Sequence, residues 1–323
     1  MRAMILAAGL GTRLRPLTGL RAKPALPVLG RPVIGWLLEF LAQHGVEEVA
    51  VNLHHRPRSV EDAVARFAPA GLSVVYSRED HPLGTGGGIA AMRDFLSESD
   101  PAVVLAGDTL LDYDLAGLAA AHRASGADAT LLLQPSSPDT AGFNTVGIDD
   151  RGRVCRIADR FDLGGETTSG VFVGLRLFSP SVFAHLPKMT PGTAFEDLTD
   201  WLMPLAASGA ADIRGHLAEG SPFPWRPVGT PEEYLAANLS PPRVSYFDDN
   251  ESAAPGTLVT GDAGDVILGP GAEVGAGARL GRCVVWEKER IPSGFVAEQG
   301  VFAEGKFYFC GPGERTENAS SED

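Results

Sequence analysis

Cysteine is scarce in this sequence. Only Cys155, Cys283 and Cys310 occur in 323 residues. Their spacing fits no metal-binding pattern, and three isolated thiols make no disulfide framework. They read as buried free thiols in a reducing cytoplasm. Basic residues are also few, with 27 Lys and Arg against 41 Asp and Glu and a formal charge of −14. That balance argues against nucleic acid and against anionic membranes as partners. Long apolar runs are missing too. The stretch Met4 to Ala8 is too short for a signal segment or a membrane span, and no other run is longer. What is left is an ordinary globular composition, 44% apolar and 21% charged, with room for one large domain and a smaller one.

One local absence points the other way. No acid occurs before Glu39, while Arg2, Arg13, Arg15, Arg21, Lys23 and Arg31 precede it. A cationic stretch in an acidic protein suggests a small anionic ligand.

The first two thirds of the sequence alternate strand and helix patterns, less regularly in the second part. "AMILAA" (3–8), "EEVAVNL" (47–53), "LSVVYS" (72–77) and "AVVLAGD" (102–108) read as strands. Between them, 31–45, 59–68 and 87–96 read as helices, with Pro32 in the first turn of one and Ser59 capping another. This βαβαβα order predicts an α/β fold with a doubly wound, mainly parallel sheet. Ligands of such sheets bind at the carboxyl ends of strands, where Gly9 and Asp108 fall. Further on, 145–149, 153–158 and 169–178 read as strands, and 195–208 and 231–239 as helices. From Pro241 the texture changes to a linker. Leu268, Val274 and Leu280 then recur every six residues, each followed by glycine. This is the mark of a short parallel β-helix with one aliphatic residue inside per turn. The expected organisation is a domain at 1–240, a linker at 241–257, the β-helix at 258–310 and a disordered tail at 311–323. Such a short solenoid has ends to cover, so a homo-oligomer formed through it is expected.

The opening "MILAAGLGTRLRPLT" (4–18) carries the chemistry. Gly9 and Gly11 permit positive φ and close approach of the backbone to a ligand. Successive backbone N–H groups there can form an anion nest. Thr12 adds a hydroxyl and Arg13 a fixed charge, and Lys23 in "KPALPV" supplies a second cation. It is not a Walker A loop, because no Gly-Lys-Ser/Thr follows. It is not the dinucleotide fingerprint, because Leu14 stands where the third glycine belongs.

The motifs "LAAGLGTRLRPLT", "KPALPV", "PLGTGGGI" (82–89), "LAGD" (105–108), "SGVFV" (169–173), "FEDL" (195–198) and "VGTPEEYLAAN" (228–238) follow in this order. Together they resemble the sugar-1-phosphate nucleotidylyltransferases, over residues 1 to about 240. The resemblance implies a nucleotide-diphospho-sugar transferase fold followed by a left-handed parallel β-helix. It implies that an NTP and a sugar 1-phosphate give an NDP-sugar and pyrophosphate, with Mg²⁺. Carried over residue by residue, Arg13, Lys23 and Asp108 would be catalytic and Asp108 would hold the metal. Leu6, Ala7, Ala8, Gly9, Gly11, Thr12, Gly84, Thr85 and Gly86 would bind the nucleotide. Asn144, Arg160, Ser169, Gly170, Glu196 and Asp197 would bind the sugar phosphate.

The sequence departs from the family in one telling place. "WRPVGTP" (225–231) has Pro227 where the family usually has a second metal-binding aspartate. "ADRF" (158–161) stands where many members carry Glu-Lys-Pro, so Arg160 takes the lysine's position. The segment "CVVWEKERIPSGFV" (283–296) is similar to mannose-1-phosphate guanylyltransferases. "TGGGI" (85–89) and "TSGVFV" (168–173) are nearer to N-acetylmuramate-1-phosphate uridylyltransferases, and glucose-1-phosphate enzymes stay open. The rival reading from a different class is a catalytically weak NDP-sugar-binding regulator, motivated by Pro227. A glycosyltransferase would need an acid pair that "GDTLLD" (107–112) does not supply at the strand end.

Overall fold

The apolar N-terminal run forms the strand Arg2–Leu6, at the centre of a ten-stranded sheet. Ala3 and Ile5 face one apolar core and Met4 the other, so the strand is buried on both faces. Glu48–Leu53 and Ala102–Ala106 flank it in parallel, and Ser73–Arg78 extends the same parallel set. The structure is a computed structural model describing residues 1–188, 193–218, 220, 222–247, 253–260 and 265–311. The expected tail lies, after Gly311, outside the described residues.

The sheet is mixed rather than mainly parallel. Thr168–Phe178 runs antiparallel to Ala102–Ala106, Ala129–Pro135 and Thr145–Ile148. Thr145–Ile148 and Val154–Ile157 are also antiparallel, joined by a tight turn at 149–153. A parallel pair needs a crossover of a dozen residues or more, which 149–153 cannot supply, whereas Ile213–Leu217, reached through a longer connection, pairs in parallel with Ala129–Pro135. The alternation expected over the first two thirds of the sequence gives way at residue 145 to four successive strands.

Local chemistry sets several boundaries. The second helix begins at Pro57, not at Ser59, because Arg56 adopts a left-handed conformation (φ 47°) and proline follows at the first helical position. Ser59 instead accepts a bond from Ala22 N at 3.0 Å and donates to Arg56 O. The helix expected over 87–96 starts earlier, at Gly84, and breaks into Gly84–Ala91 and Arg93–Leu96. The one expected over 195–208 opens as a π-helical turn, Asp197–Leu202, and continues as Met203–Ser208. Pro231–Leu239 is opened by a capping box between Thr230 and Glu233.

The C-terminal strands Val266–Leu268, Arg279–Val285 and Val296–Ala303 stack in parallel, as do Glu273–Val274 and Arg290–Ile291. Val266 lies opposite Cys283, Glu273 opposite Arg290 and Arg279 opposite Val296, a constant step of 17 residues. Leu268 and Leu280 pack on the small core of Val285, Ile291 and Phe302. Val274 does not go inside; it is 45% exposed. Its strand has a neighbour on one side only, so nothing stacks over it among the described residues.

These strands are bound into the N-terminal core. Trp286, Ile267, Val284 and Val301 share one apolar cluster with Tyr234, Trp36 and Leu26. The segment expected as a linker also lies against this core, with Tyr246 buried and its hydroxyl donating to Leu111 O at 3.1 Å. All three cysteines are free and buried. Burial pushes the Cys310 thiol up to about 12. Among the described residues no helix is long and apolar enough to cross a membrane.

Candidate active site

The site begins where two adjacent parallel strands end. Leu6 and Ala106 are register partners, and Gly107 N donates to Leu6 O at 2.9 Å. A side chain at Gly107 would put Cβ 2.5 Å from Leu6 O, so only glycine lets the two chains close here. Asp108 follows immediately and faces a cleft of ≈ 1120 Å³.

The opening turn is built around Gly11. It is left-handed (φ 61°), and a Cβ there would meet Thr18 Cγ2 at 2.7 Å. Gly9 is not at positive φ, contrary to the expectation from sequence, and open space surrounds its Cβ position. Thr18 Oγ1 donates to Gly11 O at 2.9 Å and pins the turn from behind. A 3-10 turn, Thr12–Leu14, then buries Leu14 and leaves Thr12 and Arg13 exposed. No carboxylate lies within salt-bridge distance of Arg13 among the described residues. A Cβ on Gly229 would sit 3.4 Å from Arg13 Nη2, so the guanidinium lies over the turn after Pro227. Glu233 holds that turn, accepting from Gly229 N at 2.6 Å and Thr230 N at 3.1 Å.

Lys23 starts a short turn stiffened by Pro24. Its Nζ lies 2.6 Å from Asp108 Oδ2. The Lys23 side chain is 12% exposed and that of Asp108 40%, so the pair sits at the cleft wall with the acid outward. Trp225–Pro227 pairs antiparallel with Thr109–Leu111, and Pro227 is the partner of Thr109. Val228 N donates to Asp108 O at 2.8 Å. The residue at 227 is therefore a direct neighbour of the Asp108 segment, and it brings no side-chain ligand.

The other end of the cleft is acidic. Thr85 Oγ1 lies 2.6 Å from Glu196 Oε2 and 2.5 Å from Asp197 Oδ1, and it accepts from Asp197 N at 3.0 Å. One hydroxyl proton serves only one of those two carboxylates at a time. Asp197 is buried against Arg176, with 2.8 Å between Nε and Oδ2, a close ion pair out of line for a hydrogen bond. Glu196 is exposed.

Of the residues singled out from sequence, Leu6, Ala7, Ala8, Gly9, Gly11, Arg13, Lys23, Gly84, Thr85, Asp108, Asn144, Arg160, Glu196 and Asp197 line one cleft. Thr12 is exposed on the turn beside it. Gly86 is buried, and a Cβ there would lie 2.4 Å from the Phe195 ring. Ser169 and Gly170 sit in the strand Thr168–Phe178, Gly170 under Leu217 and the Gln134 backbone. Sequence reasoning missed Asn52, Glu79, Arg176 and Glu233, which also line the cleft. A signal was there for two of them: Asn52 and Arg176 interrupt otherwise apolar strands, "EVAVNL" and "SGVFVGLRLF".

The comparisons with known proteins agree with this architecture. The family profile for nucleotidyl transferases matches residues 2–241. A mannose-1-phosphate guanylyltransferase of Mycobacterium tuberculosis is 32% identical over 92% of this chain and 83% of its own length. A UTP–glucose-1-phosphate uridylyltransferase of Synechocystis is 31% identical over 73% of this chain and 62% of its own. In fold, the chain is similar to the crystal structure of HddC from Yersinia pseudotuberculosis, with a TM-score of 0.60 at 23% identity over 73% of this chain and 97% of that one. With its matched region spanning the sheet and every wall of the cleft, this chain belongs to the nucleotidyl transferase family.

Proposed function

We propose that this protein transfers the nucleotidyl group of GTP to mannose 1-phosphate, giving GDP-mannose and pyrophosphate. One observation carries the reading: the Gly9–Arg13 turn, the Lys23–Asp108 pair and the Glu196 carboxylate meet in one cleft. The choice of mannose and GTP draws on the guanylyltransferase relative, whose match reaches over 92% of this chain and so takes in much of the C-terminal strands.

In this reading Gly9, Gly11, Thr12 and Arg13 hold the triphosphate, and Leu6, Ala7, Ala8 and the Gly84–Gly86 turn face the base. Glu196 bonds sugar hydroxyls, with Asn144, Arg160, Ser169, Gly170 and Asp197 around that pocket. A phosphate oxygen of mannose 1-phosphate attacks the α-phosphorus in line. The new O–P bond forms as the bond to the β-phosphate oxygen breaks, and pyrophosphate leaves toward Arg13. No side-chain nucleophile takes part, so the protein's contribution is positioning and charge stabilisation. The obstacle is repulsion, since like unit charges ~4 Å apart cost roughly 4 kcal/mol per pair at an effective dielectric of ~20. Arg13 and Lys23 offset it, and Asp108 fixes the Lys23 ammonium from 2.6 Å.

Magnesium belongs to the same reading. Among the described residues no three His, Cys, Asp or Glu side chains cluster as a metal site. Lys23 engages one oxygen of Asp108, whose side chain is 40% exposed. These residues fit an ion held chiefly by triphosphate oxygens and water, with Asp108 as its protein ligand. When bound, such an ion neutralises phosphate charge. Pro227→Asp is then expected to lower the Mg²⁺ concentration for half-maximal turnover by about tenfold. An unchanged requirement in the folded variant would mean that another group already fills that role. Pro227 also favours a second reading, a regulator that binds an NDP-sugar and turns over weakly. Incubation with GTP, mannose 1-phosphate and Mg²⁺ separates the two by mass spectrometry: a GDP-sugar accumulates under the first and not under the second.

We propose as well that residues 1–240 are the catalytic domain, joined through 241–257 to a left-handed parallel β-helix of hexapeptide type at 258–310. The 17-residue step of the stacked strands supports this. Exposed Leu258, Val259, Val296 and Phe309 offer apolar surface for pairing two copies. Sedimentation of the full chain as a dimer is expected, and a lone monomer species contradicts it. The three free buried thiols support a reducing compartment, the cytoplasm.

A further inference from the structure

Two buried side chains that the mechanism leaves unused join two segments at the edge of the cleft. Ala7 N donates to Asn52 Oδ1 at 2.7 Å. Asn52 Nδ2 donates to Glu79 Oε1 at 2.7 Å, and Leu83 N donates to Glu79 Oε2 at 3.0 Å. The chain of bonds runs from the end of the Arg2–Leu6 strand, through the ends of Glu48–Leu53 and Ser73–Arg78, to the residue before Gly84. Asn52 is 3% exposed and Glu79 7%. No cation lies within salt-bridge distance of Glu79 among the described residues. A buried carboxylate without a counter-charge is costly, and an apolar pair of similar volume would be the cheaper filling. The relay also has no slack. A Cβ at Gly88 would lie 2.7 Å from Asn52 Nδ2 and 3.1 Å from Glu79 Oε1, so the helix Gly84–Ala91 packs directly on it.

We propose that Asn52 and Glu79 are positioning residues for the nucleotide: they lock the Ala7–Ala8 backbone and the Leu83–Thr85 turn at one fixed separation. This rests on the reading that this end of the cleft receives the base. Fixed walls lower the ordering cost of binding, so the relay acts on nucleotide affinity more than on the sugar phosphate.

The bonding pattern supplies its own test, because it has a mirror image. In Asn52→Asp, two carboxylates meet with no proton between them. In Glu79→Gln, one buried N–H of the set is left without an acceptor. In the double variant an Asp at 52 accepts from Ala7 N and from the amide of a Gln at 79, and that Gln's oxygen accepts from Leu83 N. Every bond returns with the charge moved to the other side. The experiment measures GTP and mannose 1-phosphate binding by calorimetry, and thermal stability, for the wild type, both single variants and the double.

Each single change is expected to weaken GTP binding about tenfold, and the double to return to within about threefold of wild type. Mannose 1-phosphate binding, measured on its own, falls by less than GTP binding, because this turn's link to Glu196 runs through Thr85. Single variants that lose stability but keep GTP affinity would overturn the proposal, showing the relay to be structural only. A double variant no better than the worse single would overturn it as well. A wild-type protein that binds no nucleotide would sink the functional reading, and this proposal with it.

Discussion

Asp108→Asn is expected to lower turnover by roughly 10² to 10³ while leaving the fold intact. The side chain is 40% exposed and spans no core contact, so its removal costs little stability. It does two things in the cleft. Its carboxylate fixes the Lys23 ammonium at 2.6 Å, and in the proposed mechanism it is the protein ligand of the metal. Asparagine keeps the volume and loses the charge that serves both. Because Lys23 and Asp108 act as one unit, Lys23→Met should cost a similar factor, and the double variant little more than either. Steady-state kcat on folded variants checks this. Activity within threefold of wild type in Asp108→Asn would remove the pair from the chemistry.

Trp286→Ala carries the largest expected effect on stability, about 3 to 5 kcal/mol. The indole is 1% exposed in the shared core and donates from Nε1 to the Tyr234 hydroxyl at 3.0 Å. Tyr234 in turn donates to Pro27 O at 2.7 Å, and burial pushes its phenol well above the usual range. The Arg21 guanidinium lies 4.4 Å from the indole ring centre and pairs with Glu287 at 2.6 Å. One side chain thus ties the C-terminal strands to the segment that carries Lys23. Trp286→Phe keeps most of the packing and loses the Tyr234 bond, at a cost of about 1 kcal/mol. Urea titrations that place Trp286→Ala within 1 kcal/mol of wild type, on the same ~1 kcal/mol scale as a single hydrogen bond, would contradict this account of how the two parts are joined.

The parts of the fold legible in sequence were those with a strong local period. The buried run at Arg2–Leu6, the helix before Gly45 and the strand ending before Asp108 each announce themselves through apolar spacing. That helix spans Val33–Gln43, however, and Pro32 lies extended just before it, paired with Pro27, not in its first turn. Strand direction was not legible. Nothing local in "SGVFVGLRLF" says that it will insert antiparallel beside Ala102–Ala106, a strand far away in the chain. At the site, glycines and cations beside a strand end marked the phosphate end of the cleft. Contacts made across the chain were harder to read. Lys23 with Asp108, Thr85 with Glu196, and Asn52 with Glu79 are separated by 85, 111 and 27 residues, and no single stretch encodes them. Pro227 was visible as a departure, but its place beside Thr109 and the Asp108 segment comes only from the fold.

The central claim is that the cleft joins a nucleotide to a sugar phosphate. Its most direct test is pyrophosphate release, measured with GTP, UTP, dTTP, ATP and CTP against a panel of sugar 1-phosphates in the presence of Mg²⁺. The account predicts turnover, fastest with GTP and mannose 1-phosphate, and lost in Asp108→Asn. Tight binding of an NDP-sugar with no pyrophosphate released by any pairing would contradict it.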